Sequence, residues 1–128
     1  MAISQLKPKR KATGGRYSKL YRKQKLGELG SDPTYTKLGP LRKKTLRIRG
    51  GNLKYRLFAN DTANVLDRKT NKFVQAKIIT IKENPANRNF TVRNIMTKGS
   101  IIQTDKGLAK ITSRPGHDGL INAVLVEK

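Results

Sequence analysis

The longest apolar stretch, Phe73-Val74-Gln75-Ala76-Lys77-Ile78-Ile79-Thr80-Ile81, is rich in β-branched residues and predicts a central strand. Upstream, Leu46 and Ile48 alternate with Arg47 and Arg49, and Tyr55 and Leu57 alternate with Lys54 and Arg56. A period of two marks a strand with one buried and one wet face. Between the two runs, Gly50-Gly51-Asn52 tolerates the positive φ of a tight turn, so Thr45–Ala59 reads as a hairpin. Paired in this way, Arg47, Arg49, Lys54 and Arg56 are expected to crowd one side of it. Like charges facing each other across strands repel unless something anionic lies over them.

Beyond the hairpin the pattern stays β. Thr62–Leu66 is a short apolar run closed by the polar turn Asp67-Arg68-Lys69-Thr70-Asn71-Lys72. After the central strand, Glu83-Asn84-Pro85-Ala86-Asn87-Arg88-Asn89 breaks the chain with turn-formers. Phe90–Met96, Ser100–Thr104 and Leu108–Thr112 follow as short strands, separated by Lys98-Gly99 and Asp105-Lys106-Gly107. Ser113-Arg114-Pro115-Gly116-His117-Asp118-Gly119 reads as a further turn, and Leu120–Val126 as the closing strand. Short strands at this spacing with no helical segment predict an all-β fold, a small barrel of short, mostly antiparallel strands. The barrel domain spans residues 45–128, which are 84 residues and suffice for one modest core that buries roughly 60% of the chain's surface.

Residues 1–44 read differently, as a long N-terminal extension and loop. Residues 1–30 hold only Ile3, Leu6, Leu20, Leu26 and Leu29 as large aliphatic side chains, with no sustained period. Such a segment cannot offset its ordering entropy by burial. A short helix over roughly Tyr17–Lys25, stopped by Gly27 and Gly30, is one reading. Residues 31–44 carry two Pro and the turn signal Gly39-Pro40 and read as a loop.

Charge then identifies a partner. The net charge is +21, from 29 Lys and Arg against 8 Asp and Glu, far beyond what solubility requires. It points to nucleic acid or an anionic membrane. No run of about 18 apolar residues exists, so no bilayer-spanning segment and no membrane partner are expected. The opening Met-Ala-Ile-Ser-Gln-Leu-Lys-Pro-Lys-Arg-Lys lacks the apolar core of a secretory leader. The absence of Cys excludes disulfides and thiolate metal sites and fits a reducing cytosol. Residues 1–56 hold 17 basic against 2 acidic side chains, a net of +15, whereas residues 57–128 hold 12 against 6, a net of +6. The extension is therefore the electrostatic element and is expected to be ordered by RNA.

Catalytic chemistry finds no support. His117 is the only His and sits in a Pro-Gly turn, and Glu83, Asp105 and Asp118 lie beside turn residues where acids normally solvate or cap. There is no Gly-rich phosphate loop ahead of a helix and no Cys/His metal spacing, so no enzyme, cofactor or metal site is expected. The basic clusters are Lys9, Arg10, Lys11 and Arg16; Lys19, Arg22, Lys23 and Lys25; Arg42, Lys43 and Lys44; and the hairpin with Arg47, Arg49, Lys54 and Arg56. Lys and Arg bind phosphates by charge and counterion release, and Arg adds a planar fork. Gly14, Gly15, Gly50, Gly51 and Asn52 permit close backbone approach to phosphate, and Arg114 adds a cation in the late turn. Tyr17, Tyr21 and Tyr35 lie among these charges, where stacking on unpaired bases and local packing are both open; Tyr21 joins the candidate set. No helix suited to a DNA major groove is evident, which favours RNA.

The same residues resemble a known family. Lys11-Ala12-Thr13-Gly14-Gly15-Arg16, Glu28-Leu29-Gly30, Thr36-Lys37-Leu38-Gly39-Pro40 and Arg47-Ile48-Arg49-Gly50-Gly51-Asn52-Leu53-Lys54-Tyr55-Arg56 are similar to the archaeal and eukaryotic family of small-subunit ribosomal protein eight, which is unrelated to the bacterial protein of that number. Glu83-Asn84-Pro85-Ala86-Asn87-Arg88, Thr97-Lys98-Gly99 and Thr112-Ser113-Arg114-Pro115-Gly116-His117-Asp118-Gly119 continue the resemblance in family order. It implies a β-barrel with a basic extension, bound to small-subunit ribosomal RNA as a structural component in the cytoplasm, beside neighbouring ribosomal proteins and without homo-oligomers. Eukaryotic members carry a helical insertion ahead of the Ser-Arg-Pro-Gly segment; Ile111-Thr112 runs straight into Ser113, so the chain looks archaeal in type. A transient ribosome-assembly factor is the second reading and a chromatin-like DNA binder the third.

Overall fold

Period-two runs cut by Gly, Asn and Asp give a strand-rich chain, with eleven strands and two short helices among the described residues. The computed structural model describes residues 3–5, 8–18 and 22–126. Two compact units divide the chain, Met1–Pro33 and Thr34–Lys128. In the first, β1 (Ile3–Ser4) pairs antiparallel with β2 (Leu29–Gly30), which a single 3₁₀ turn at Leu26–Glu28 precedes. Residues 19–21 of the Tyr17–Lys25 helix reading lie outside the described residues. Residues 22–25 are not helical, and the helical turn falls at Leu26–Glu28 instead.

The second unit opens with β3 (Thr36–Leu38) and β4 (Arg42–Arg47), a 3₁₀ turn at Arg49–Gly51, β5 (Leu53–Asn60), β6 (Thr62–Asp67) and β7 (Lys72–Glu83). Then come α1 (Arg88–Val92), β8 (Ile95–Met96), β9 (Ile101–Thr104), β10 (Gly107–Ile111), α2 (Pro115–Asp118) and β11 (Asn122–Leu125). Strands β6, β7, β9, β10 and β11 close into a barrel, and β4, β5, β3 and β8 form a separate four-stranded sheet in that order. All barrel pairings are antiparallel except β11 against β6, where Asn122 lies beside Asn64, Ala123 beside Val65 and Val124 beside Leu66. The 12-residue β7 serves two neighbours in turn: Lys72–Lys77 pairs with β6, and Ile78–Glu83 pairs with β9. Register shifts at Ile78/Thr80 and Ile81/Glu83 bend it from one to the other.

The core follows from that closure. Val65, Ile78, Ile81, Ile102 and Ile111 are buried with Ala63, Ala76, Ala109 and Ala123, and Leu57 joins them from β5. Two of the buried polar side chains bond to backbone carbonyls. The Thr36 hydroxyl donates to the Leu57 carbonyl at 2.6 Å. The Asn84 amide donates to the Ile95 carbonyl at 3.0 Å, while its oxygen accepts from the Thr97 hydroxyl at 2.9 Å.

Three local expectations are corrected. The loop expected over residues 31–44 contains β3 and the start of β4, because Lys37 pairs with Ala59 and Arg42–Lys44 pair along β5. The strand expected over Phe90–Met96 begins as α1. Asn87 caps it, its side-chain oxygen accepting the Asn89 N–H at 2.9 Å, and this local bond overrides the β propensity of Phe90-Thr91-Val92. The late Ser-Arg-Pro-Gly turn winds into α2, with Pro115 at its first turn and Gly119 left-handed at its end.

The barrel core carries the stability of this unit. Replacing Ile102, fully buried, with Ala should cost about 2–5 kcal/mol in chemical denaturation. Replacing Phe73, 70% exposed, with Ala should leave the unfolding free energy within about 0.5 kcal/mol of the parent.

Candidate nucleic-acid interface

Strands β4 and β5 form the predicted hairpin, and its register decides where the charges go. Lys43 lies opposite Leu57, Lys44 opposite Arg56, Thr45 opposite Tyr55, Leu46 opposite Lys54 and Arg47 opposite Leu53. Directly opposed residues share a face. One face therefore carries Lys44, Leu46, Lys54 and Arg56, and the other carries Lys43, Thr45, Arg47, Leu53 and Tyr55. The expectation that Arg47 and Arg49 crowd the same side as Lys54 and Arg56 is overturned.

The turn gives the physical reason. The Ile48 N–H donates to the Asn52 carbonyl at 2.8 Å, leaving three residues, Arg49, Gly50 and Gly51, in the loop. Gly50 and Gly51 take φ of 74° and 78° in succession, which only glycine does freely. Setting Arg47 opposite Lys54 would require a two-residue turn at Gly50-Gly51. One extra loop residue shifts the register by one and moves Arg47 to the other face. Arg49 is left at the tip, where the Asn52 amide donates to its carbonyl at 3.4 Å.

The hairpin base is tied to the rest of the unit. The Lys43 ammonium lies 4.2 Å from the Tyr55 ring centroid, and the Arg42 guanidinium lies 5.5 Å from that of Phe58. Gly119, just past α2, packs onto the Lys43–Tyr55 face. A Cβ there would sit 2.5 Å from Tyr55 Cβ and 3.0 Å from Lys43 Cε, and its φ is 70°. Arg114 precedes α2 with its side chain exposed, and its backbone N–H donates to Asp118 Oδ2 at 2.8 Å. His117 is exposed in the last turn of α2.

In the first unit, Lys9–Tyr17 folds into a tight loop. Arg10 bridges Arg16 antiparallel, and the Lys11 N–H donates to the Gly15 carbonyl at 2.7 Å. The Arg10 guanidinium donates to the Gly14 carbonyl at 2.8 Å, so part of its fork is engaged in holding the loop. Lys9, Lys11 and Arg16 are exposed around it. Lys19 and Tyr21, both candidates from the sequence, lie outside the described residues. Arg22 forms a two-pronged ion pair with Glu28, at 3.0 Å and 2.8 Å, while Lys23 and Lys25 are exposed. The Glu28 carboxylate also accepts the Lys25 N–H at 2.8 Å. Chiefly the Arg22 hydrogen bonds, then that backbone bond, hold its pKa at about 2.

Tyr35 makes local packing contacts. Its ring meets Phe90 edge-on at 5.6 Å, and the Arg93 guanidinium lies 5.8 Å from its centroid. The sequence reading assigned Arg93 no role, because the Phe90–Met96 strand expectation did not bring it near Tyr35. Among the described residues no group of three His, Asp or Glu is placed to hold a metal ion. Among them, too, no helix is long and apolar enough to cross a membrane.

Comparison with known proteins supplies a family context. The family described as Ribosomal protein S8e matches residues 4–126. A protein of Methanocorpusculum labreanum named small ribosomal subunit protein eS8 is 52% identical over 118 residues, covering 92% of this chain and 94% of the relative. The protein of that name from Methanosphaerula palustris is 51% identical over 118 residues, with the same coverage. Its namesake from Nanoarchaeum equitans is 47% identical over 113 residues, covering 88% of this chain and 89% of the relative.

The Arg22–Glu28 pair makes a pH prediction. Glu28 has its pKa depressed in the folded chain, so its contribution is complete above about 4.5 and disappears as pH falls toward about 2. Carboxyl NMR should find its midpoint near the lower value, and Arg22→Ala should move that midpoint up toward 4.5.

Proposed function

Because this chain belongs to the ribosomal protein S8e family, we propose that it binds small-subunit ribosomal RNA through its basic arm and through the β4–β5 hairpin. Family membership makes its role structural, within the small ribosomal subunit and translation, and not catalytic. In this reading the cytoplasmic subunit is its site of action, with neighbouring ribosomal proteins as further contacts.

The observation that carries the reading is the charge on the hairpin. No Asp or Glu occurs between Arg42 and Asn60. Lys44 stands directly opposite Arg56 on one face, Lys43 and Arg47 occupy the other, and Arg49 marks the tip. Directly opposed cations repel in water, and phosphates lying over them remove that penalty. A ribbon charged on both faces suits insertion between two phosphate backbones, since a flat approach would use only one face. In the arm, the Gly14-Gly15 loop with Lys9, Lys11 and Arg16 offers cations and exposed backbone to a further phosphate run.

Sucrose-gradient fractionation of a native lysate tests the assignment. One copy per mature small subunit is expected, whereas presence only in lighter precursor fractions would make the chain an assembly factor. Filter binding to purified small-subunit RNA tests the two-faced hairpin. With ~6–10 phosphates neutralised, affinity should fall about 10³–10⁵-fold between roughly 50 and 200 mM salt. Arg47→Ala and Lys54→Ala lie on opposite faces, and each should reduce the slope of log affinity against log salt by about 0.9. A loss from only one of them would replace insertion with a one-sided contact.

A further inference from the structure

A second charged surface lies on the barrel, on strands other than β4 and β5. It is a cross-strand row on the outer face. Lys110 lies beside Val124, Val124 beside Leu66, and Leu66 beside Phe73, spanning β10, β11, β6 and β7. Three strand spacings make this row roughly 14 Å long. Leu66 and Val124 are half-buried, but Phe73 is 70% exposed at the far end. At the other end, Arg68, Lys69 and Lys110 line a concave site of about 520 Å³ floored by Val124 and edged by Thr112.

Asp67 accepts the Lys69 N–H at 2.9 Å and the Thr70 hydroxyl at 3.0 Å, so its oxygens are engaged in shaping the β6–β7 turn. With Asn71 at φ 52°, that turn presents Arg68 and Lys69 to solvent. The surface thus combines an exposed ring, an apolar floor and a cluster of cations. An apolar protein partner would leave those cations beside an uncharged surface. Single-stranded nucleic acid supplies a base for the ring and phosphates for the cations.

We infer that this outer face of the barrel is a second RNA-binding surface, which takes unpaired nucleotides with a base stacked on Phe73 and phosphates held by Arg68, Lys69 and Lys110. The inference shares its partner class with the function proposed above but needs neither the arm nor the hairpin. It makes the protein a bridge between two RNA segments, one at the hairpin and one single-stranded stretch at the barrel.

The test titrates the ¹⁵N-labelled full chain with an oligouridine hexamer and measures affinity for the same probe by fluorescence anisotropy. The amides of Leu66, Phe73, Lys110 and Val124 should shift. Phe73→Ala, at an exposed site that leaves folding intact, should weaken binding at least about fivefold, and Phe73→Tyr should retain it. Arg68→Ala combined with Lys110→Ala should reduce the salt slope by about 0.7 per residue. Shifts confined to residues 9–25 and 42–56 would overturn this surface while leaving the hairpin reading intact. Shifts confined to the barrel row would support it. No shift anywhere would overturn the barrel surface, while the hairpin stands or falls with the filter-binding test on small-subunit RNA. Loss of self-association in Phe73→Ala with unchanged RNA affinity would make the row a protein contact and overturn the inference.

Discussion

The parallel pairing of β11 with β6 is the constraint from which the rest of the second unit follows. Without it, five short strands would form an open sheet with two exposed edges, prone to pair with other chains. With it, the edges vanish and a narrow interior forms. That bore has room for Ala63, Ala76, Ala109 and Ala123 alternating with Val65, Ile78, Ile102 and Ile111, the small-and-large mixture a tight barrel needs. Closure also sets the path from β10 to β11, where the Thr112 N–H donates to the Asn122 carbonyl at 2.9 Å. The segment between those two residues holds α2, and Gly119 at its end seats the face of the hairpin that bears Lys43 and Tyr55.

A chain of this kind lets a less strongly charged frame carry a repulsive element. Residues 57–128 have a near-ordinary charge balance, whereas the hairpin before them has none of the acids that would compensate it. Lys44 opposite Arg56 works against strand pairing. Opposing it are burial of Leu57 in the core, the pairing of β3 along the far end of β5, and the Lys43–Tyr55 contact at 4.2 Å. The cost of placing cations opposite one another is thus met by the rest of the unit. The arm handles its charge differently. Arg22 is tied to Glu28 and Arg10 to the Gly14 carbonyl, so two of its cations shape the segment while Lys9, Lys11, Arg16, Lys23 and Lys25 remain outward.

How much was legible varied with the range of the interaction responsible. Strands β6, β7, β9, β10 and β11 follow from apolar runs between turn residues, because a half-buried strand must alternate and a turn must break it. Helix α1 was hidden, because Phe90, Thr91 and Val92 favour strand and only the Asn87 cap tips the balance. Strand β3 and the start of β4 were hidden because Lys37, Arg42, Lys43 and Lys44 do not alternate with apolar residues. Their strand character comes from pairing with β5. Of the candidate interface, the basic residues themselves were visible from composition, whereas the contact of Arg93 with Tyr35 was not.

The sequence by itself determined the all-β class, the concentration of charge in the first 56 residues and the family to which the chain belongs. These depend on composition, local period and order of motifs, all of which survive in an unfolded chain. Only the tertiary structure decided the parallel closure by β11, the register that divides Arg47 from Lys54, and the row that brings Lys110, Val124, Leu66 and Phe73 together. A period of two says which residues of one strand share a face. It does not say which strand comes to lie alongside or at what offset, because hydrogen bonds between distant segments and a single loop residue at Gly50-Gly51 set both.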